Sequence, residues 1–135
     1  MLDDRYVELS KMRMQKSNKN YITAKNNLKS FDYDAANNRA YYSIFHAIRA
    51  LLALDGMDFK KHSQVIGYIN KFYIHSGLIE QRCFEMITGA LDSRNKSDYN
   101  DYYVADLNEA ENNVNNAGVF LRILQKFISD RIESS

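Results

Sequence analysis

The sequence predicts an all-α fold, an up-and-down helical bundle of four main helices plus a short fifth. Three observations predict it. Leu107, Ala110, Val114, Ala117, Leu121, Leu124 and Ile128 recur at a three-four spacing, the pattern of a bundle seam. No stretch alternates apolar and polar residues for long enough to read as a strand. The 135 residues contain no proline, so nothing in the sequence forces a break in a long helix.

The first helix is expected from about Asp3 to Lys29. Leu2, Tyr6, Leu9 and Met12 form one apolar stripe, and Met14, Tyr21, Ala24 and Leu28 a second, slightly rotated one. Between them lies the polar run KSNKN (Lys16 to Asn20), read as a bend or a solvent-facing middle. The second helix, roughly Asp34 to Leu54, follows the linker SFDYD, where Asp32 or Asp34 can accept from first-turn amides. Ala40, Tyr41, Ile44, Ala47, Ile48, Leu51 and Leu52 give this helix an apolar face wide enough for the centre of the bundle. Gly56 supplies the left-handed residue that ends it. The third helix, about Ser63 to His75, groups Val65, Ile66, Ile69, Phe72 and Tyr73, with Ser63 as cap and Gly77 as break. The fourth, about Leu78 to Asn95, aligns Ile79, Cys83, Met86, Ile87, Ala90 and Leu91. Asp106 with Glu109 resembles a capping box for the last helix, and Phe120, Ile123 and Phe127 widen its stripe, as contact with a second subunit would require.

The length suits one domain, taken as residues 1–135. Hydrophobic residues make up 45% and charged residues 26%, an ordinary globular composition. Eighteen basic and 17 acidic residues leave a net charge of +1, which argues against coating nucleic acid through bulk charge and leaves room for a local basic patch. A single cysteine, Cys83, cannot form an internal disulfide and fits a reducing, cytoplasmic setting. The first residues, MLDDRYVELS, lack a basic segment followed by an apolar one, so no signal peptide is expected. No apolar run approaches the ~20 residues of a membrane span.

The glycines are scattered singly, with no phosphate-binding loop, and there is no zincin helix and no CxxC pair. His46, His62 and His75 lack metal-ligand spacing, and no Glu-x-x-His occurs, so neither a metal nor another cofactor is expected. Tyr42, His46 and Arg49 share a helical face, with Arg39 one turn before them. That face reads either as a polar seam hydrogen-bonded inside the bundle or as the wall of a cleft shared with Arg94. Lys60, Lys61 and His62 form a short basic spot beside a turn, read first as a solvated helix start and second as a phosphate contact.

Three segments together resemble the HEPN-domain family, in its small stand-alone form often encoded beside a minimal nucleotidyltransferase. They are YDAANNRAYYSIFHAIRALLALDG in the second helix, KKHSQVIGYINKFYIHSGLI across the third, and RNKSDY at the end of the fourth. The resemblance implies a helical bundle that forms a homodimer, with the Arg-polar motifs of both subunits lining a cleft at the interface. In the family's active nucleases the motif is Arg, a polar residue, a few more residues, then His. It supports metal-independent RNA cleavage by attack of the ribose 2′-hydroxyl on the adjacent phosphate. Arg94 matches the arginine and Asn95 the polar residue. Where the histidine belongs, this sequence has Tyr99, Asn100 and Asp101. Histidine titrates near 6.5 and tyrosine near 10, so Tyr99 is a poor proton carrier at neutral pH. Loss of such a group costs about 10²–10⁴ in rate.

Three readings follow from the resemblance. The first is a toxin–antitoxin or defence-type HEPN protein that binds RNA, a nucleotide or a nucleotidyltransferase partner through the Arg94–Asn95 cleft. In that reading Asp98, Tyr102, Tyr103, Arg39 and Tyr42 surround the cleft. The second is an active endoribonuclease toxin with Arg94, Asn95, Tyr99 and His46 as its catalytic set. The third is a non-catalytic structural interaction protein, in which Arg94 and Asp98 form a helix-end ion pair and the tyrosines pack the corner. Tyr102 or Tyr103 could also serve as the acceptor hydroxyl of a paired nucleotidyltransferase. The chain carries ten tyrosines, and tyrosine is the usual anchor of interfaces and platform for base stacking.

Overall fold

A computed structural model describes residues 2–135. Four long helices and one short one make up the bundle: α1 (Asp4–Lys29), α2 (Tyr33–Leu54), α3 (His62–Ile69), α4 (Arg82–Tyr99) and α5 (Leu107–Glu133). No strand occurs among the described residues. A π-helical turn, Asn70–Ile74, extends α3.

Helix α2 is the axis, in contact with α1, α3, α4 and α5. Its alanines and large aliphatics alternate around most of the girth. Ala36, Ala40, Ala47 and Ala50 let neighbours approach, while Ile44, Ile48, Leu51 and Leu52 fill the space between them, all essentially solvent-free. Each such Ile or Leu contributes about 1.5–3 kcal/mol through burial. Cross-helix hydrogen bonds fix the directions. Ser17 and Ser43 bond each other's carbonyls across α1 and α2, and Arg13 reaches the Arg49 carbonyl at 3.1 Å, so these helices run antiparallel. Ser97 of α4 donates to Asp34 at 2.9 Å while Arg94 meets Tyr42, again antiparallel. Asn37–Asn113 and Asp55–Arg131 join α2 and α5 in parallel.

The expected caps hold in part. Asp32 accepts from the Ala35 amide, and Asp106 from the Glu109 amide at 2.8 Å. The Glu109 carboxylate turns instead to the Tyr103 hydroxyl. Gly56 sits at φ +68° where α2 ends; the Gly56 and Met57 amides close back on the Ala53 and Leu52 carbonyls. Phe31 ends α1 in the same left-handed conformation, φ 63°, without being glycine.

Five sequence expectations are corrected. Tyr6, Leu9 and Met12 of the first stripe lie outward and α1 buries Ser10, Arg13 and Ser17, whereas Met14 and Ala24 of the second stripe are in the core, with Tyr21 and Leu28 packed against it. The reason is that Ser17 and Arg13 find hydrogen-bond partners on α2, so this polar face is the inner one. The KSNKN run is neither a break nor wholly solvated, because Ser17 is the buried contact to Ser43. Ser63 does not cap α3; Lys61 precedes the helix with no side-chain bond. Helix α4 starts at Arg82, after Gly77 at φ 85° and the Ile79 amide bonded to Tyr73 hold residues 75–80 in turns, and it continues through Tyr99. Leu107, at the start of the seam pattern, is half exposed, whereas the seam from Ala110 to Ile128 is buried.

Candidate functional site

Arg94 lies on α4 one turn before its end, and the antiparallel α2 places Tyr41 and Tyr42 opposite it. Its guanidinium carbon stands 5.0 Å from the Tyr41 ring centroid and 5.5 Å from that of Tyr42. Nη2 donates to the Tyr42 hydroxyl at a long 3.3 Å. Nε is buried and has no hydrogen-bond partner; its nearest carboxylate oxygen, from Asp98, is 3.6 Å away. A guanidinium carries five donors, and here most of them are unused among the described residues.

The same two tyrosines gather further groups. Arg39 stands 5.3 Å from the Tyr42 centroid and gives its hydrogen bonds to the amide oxygens of Asn20 and Asn38, not to a carboxylate. Tyr41 is buried, and its hydroxyl meets His62 Nδ1 at 2.8 Å. The His62 ring stacks on Phe45 with centroids 4.0 Å apart and presents itself edge-on to Tyr42. Burial pushes the Tyr41 hydroxyl up to about 12. Burial, then Arg94 and Arg49, holds the His62 imidazole below the ordinary histidine range.

The other residues singled out in the sequence fall at different distances from this cluster. Asn95 is exposed on α4. Asp98 makes the i,i+4 ion pair with Arg94. Tyr99 and Tyr102 are 81% and 95% exposed, open to any partner. Tyr103 is tied to Glu109 and has Lys96 5.9 Å from its ring. His46 tilts against the Tyr42 ring at 6.2 Å, its Nδ1 buried without a partner. Burial first, then Arg49, Lys16, Arg13 and Arg39, depresses its pKa to about 4. It is therefore a neutral imidazole at pH 7.

Sequence reasoning placed His62 in a basic spot, read first as a solvated helix start and second as a phosphate contact, and missed its contact with Tyr41. Its spacing from Tyr41 carries no local periodicity, because the two meet only when α3 folds back onto α2. The one available signal was the co-occurrence of KKHS with NNRAYY.

A second tyrosine–arginine cluster closes the far end of α2. Arg131 donates to Asp55 at 2.6 Å and to the Tyr73 hydroxyl at 2.7 Å; Tyr73 and Tyr68 donate to the same carboxylate at 2.5 and 3.1 Å. The π turn brings Tyr73 to this position. Within the core, Asn113 donates to Asn37 and Ser93. Among the described residues no group of three His, Cys, Asp or Glu is placed to hold a metal, and no helix is long and apolar enough to cross a membrane.

Known proteins resemble the chain over most of its length. A protein named "Putative toxin" from Methanocaldococcus jannaschii is 31% identical over 121 residues, covering 90% of this chain and 82% of the relative. A second protein of that name from the same organism is 33% identical over 92 residues, 68% of each chain. A UPF0332 protein of Thermotoga maritima is 28% identical over 103 residues, 76% of this chain and 78% of its own. The model of the HEPN domain matches residues 10–127, which include α2, α3, α4 and the Arg94 cluster, and the chain belongs to the HEPN family.

Proposed function

We propose that this chain, as a single domain over residues 1–135, is the HEPN component of a toxin–antitoxin or defence-type system. In this reading it binds the phosphate of an RNA or nucleotide at the Arg94 cleft, acts as a cytoplasmic homodimer, and has a minimal nucleotidyltransferase as its partner. One observation carries the reading. Arg94 is held in place by two aromatic rings while its donors are left almost unused, with one long hydrogen bond and a carboxylate at 3.6 Å. A fixed, under-coordinated guanidinium suits a phosphate, whose oxygens accept its parallel donors. Arg39, paired with amide oxygens alone, adds positive charge beside it. Exposed Tyr99 and Tyr102, further along α4 and just beyond its end, offer faces for base stacking. The toxin naming of two relatives supports the system class.

Catalysis fits less well, because the motif histidine is replaced and His46 is neutral and without a hydrogen-bond partner at Nδ1. The test is fluorescence anisotropy of labelled single-stranded RNA with purified protein in EDTA, with Arg94→Ala and Arg94→Lys beside it and the RNA recovered on a gel. We expect binding by the wild type, at least tenfold weaker binding by Arg94→Ala, a partial defect in Arg94→Lys, and intact RNA throughout. Equal binding by Arg94→Ala, or none by the wild type to RNA or nucleotides, would refute the reading. Cleavage lost in Arg94→Ala would establish the endoribonuclease instead.

A further inference from the structure

We propose that His62 is the second ligand-contacting residue of the Arg94 cleft, donating from its Nε2–H to a phosphodiester whose other oxygen pairs with Arg94. The inference rests on the reading of that cleft as a phosphate site. It begins with Tyr41. That residue is 1% exposed, so its hydroxyl proton has no water to go to, and its one hydrogen-bond partner is His62 Nδ1 at 2.8 Å. A buried donor is almost always satisfied. The Tyr41 hydroxyl therefore donates, Nδ1 accepts, and the imidazole proton resides on Nε2.

Three features hold that Nε2–H ready. Stacking on Phe45 at 4.0 Å and the edge contact with Tyr42 fix the ring plane. His62 is only partly buried, and Nε2 makes no hydrogen bond among the described residues. Burial and the nearby Arg94 and Arg49 charges hold the imidazole below the ordinary histidine range. Both His62 and Arg94 rest against Tyr41 and Tyr42, so one pair of rings positions a neutral donor and a charged one together. This is a positioning device of the same chemical kind as a second group that orients a metal-binding or catalytic histidine through its other nitrogen. Here Tyr41 is the positioning residue and His62 the contact.

The experiment is long-range proton–nitrogen NMR on the wild-type protein, titrated with the RNA dinucleotide UpU and, separately, with orthophosphate. His46 and His75 serve as internal controls. We expect His62 in the Nε2–H form before ligand, and its Nε2 resonance to shift with the same saturation curve as Arg94-dependent binding. His62→Phe, which keeps a stacking ring, should bind UpU at least tenfold more weakly while unfolding cooperatively. Arg94-dependent binding with the His62 resonances unmoved, a free protein in the Nδ1–H form, or full affinity in His62→Phe would overturn the inference and leave the cleft reading standing. Orthophosphate saturating at the same concentration as UpU would overturn the diester assignment. A wild type that binds neither ligand would remove the cleft reading, and the role of His62 with it.

Discussion

Lowering the pH should expose His46 as a buried neutral imidazole. In the unfolded chain it takes up a proton at about 6.5. In the folded protein burial and the surrounding Arg49, Lys16, Arg13 and Arg39 hold that pKa at about 4. Between these values the unfolded state binds more protons, so the contribution of His46 to stability is constant above pH 6.5 and falls as the pH drops towards 4. The full shift corresponds to about 3 kcal/mol, of which about 2 kcal/mol is lost by pH 5. The ring is partly accessible to water, which reduces the pH 5 figure to about 1–2 kcal/mol. The assay is urea unfolding at pH 7.5, 6 and 5 for the wild type and His46→Gln, since the difference between the two isolates this group from the carboxylates and from His62. The wild type should lose about 1–2 kcal/mol more than the variant between pH 7.5 and 5, with NMR placing the His46 titration well below 6. A His46 titration near 6.5, or parallel pH profiles for the two proteins, would refute the argument and reopen His46 as a neutral-pH proton carrier.

Other substitutions test separate parts of the structure. Phe31→Gly should stabilise the protein by about 0.5–1 kcal/mol in thermal or urea unfolding, because Phe31 is 77% exposed and held at φ 63°, where only glycine is unstrained. Gly56→Ala should cost about 1–2 kcal/mol, since φ is +68° and the new Cβ would stand 2.8 Å from the Tyr6 ring. Asn113→Ala removes the donor to both Asn37 and Ser93 inside the core and should cost about 1–3 kcal/mol. Tyr99→Ser with Tyr102→Ser should leave stability within about 0.5 kcal/mol, because both rings are exposed, yet weaken RNA binding by about 1–3 kcal/mol per stacked base in an anisotropy titration.

The fold was legible wherever a helix buries one continuous apolar stripe. The seam of α5 and the wide face of α2 are of this kind, and both lie where their spacing places them. The first stripe of α1 was misread because part of its inner face is Arg13 and Ser17, which are buried through partners on another helix rather than through their own apolar character. The start of α4 was misread because Leu78 and Ile79 look helical, whereas the Gly77 turn decides the local backbone. At the site, Arg94 and Asp98 sit one helical turn apart and could be paired from the sequence. The contacts of Arg94 with Tyr41 and Tyr42, and of Tyr41 with His62, are long-range and have no local periodicity to announce them.

The protein contains its own control for reading Arg94. The middle of α2 and its C-terminal end each carry an arginine, an aspartate and two tyrosines brought together from different helices. At one end Arg131 and both hydroxyls converge on a single carboxylate at 2.5–3.1 Å, which saturates Asp55 and leaves Arg131 well paired. That arrangement is a closed tie between α2, the π turn and α5. In the cluster at the middle of the helix the tyrosine hydroxyls do not go to the aspartate at all. Tyr41 serves His62 and Tyr42 accepts from Arg94, so Asp98 neutralises the arginine only from 3.6 Å. If Arg94 existed to hold α4 against α2, the sequence had the means to close this cluster as it closed the other. Arg94 Nε is buried without a partner among the described residues, as are Ser10 Oγ, Asn37 Nδ2 and His46 Nδ1, and an unsatisfied buried donor costs about 1–3 kcal/mol. In the proposed function an anion that arrives from outside would supply the missing acceptor, giving the open cluster the same chemistry as the closed one, with phosphate in place of Asp55.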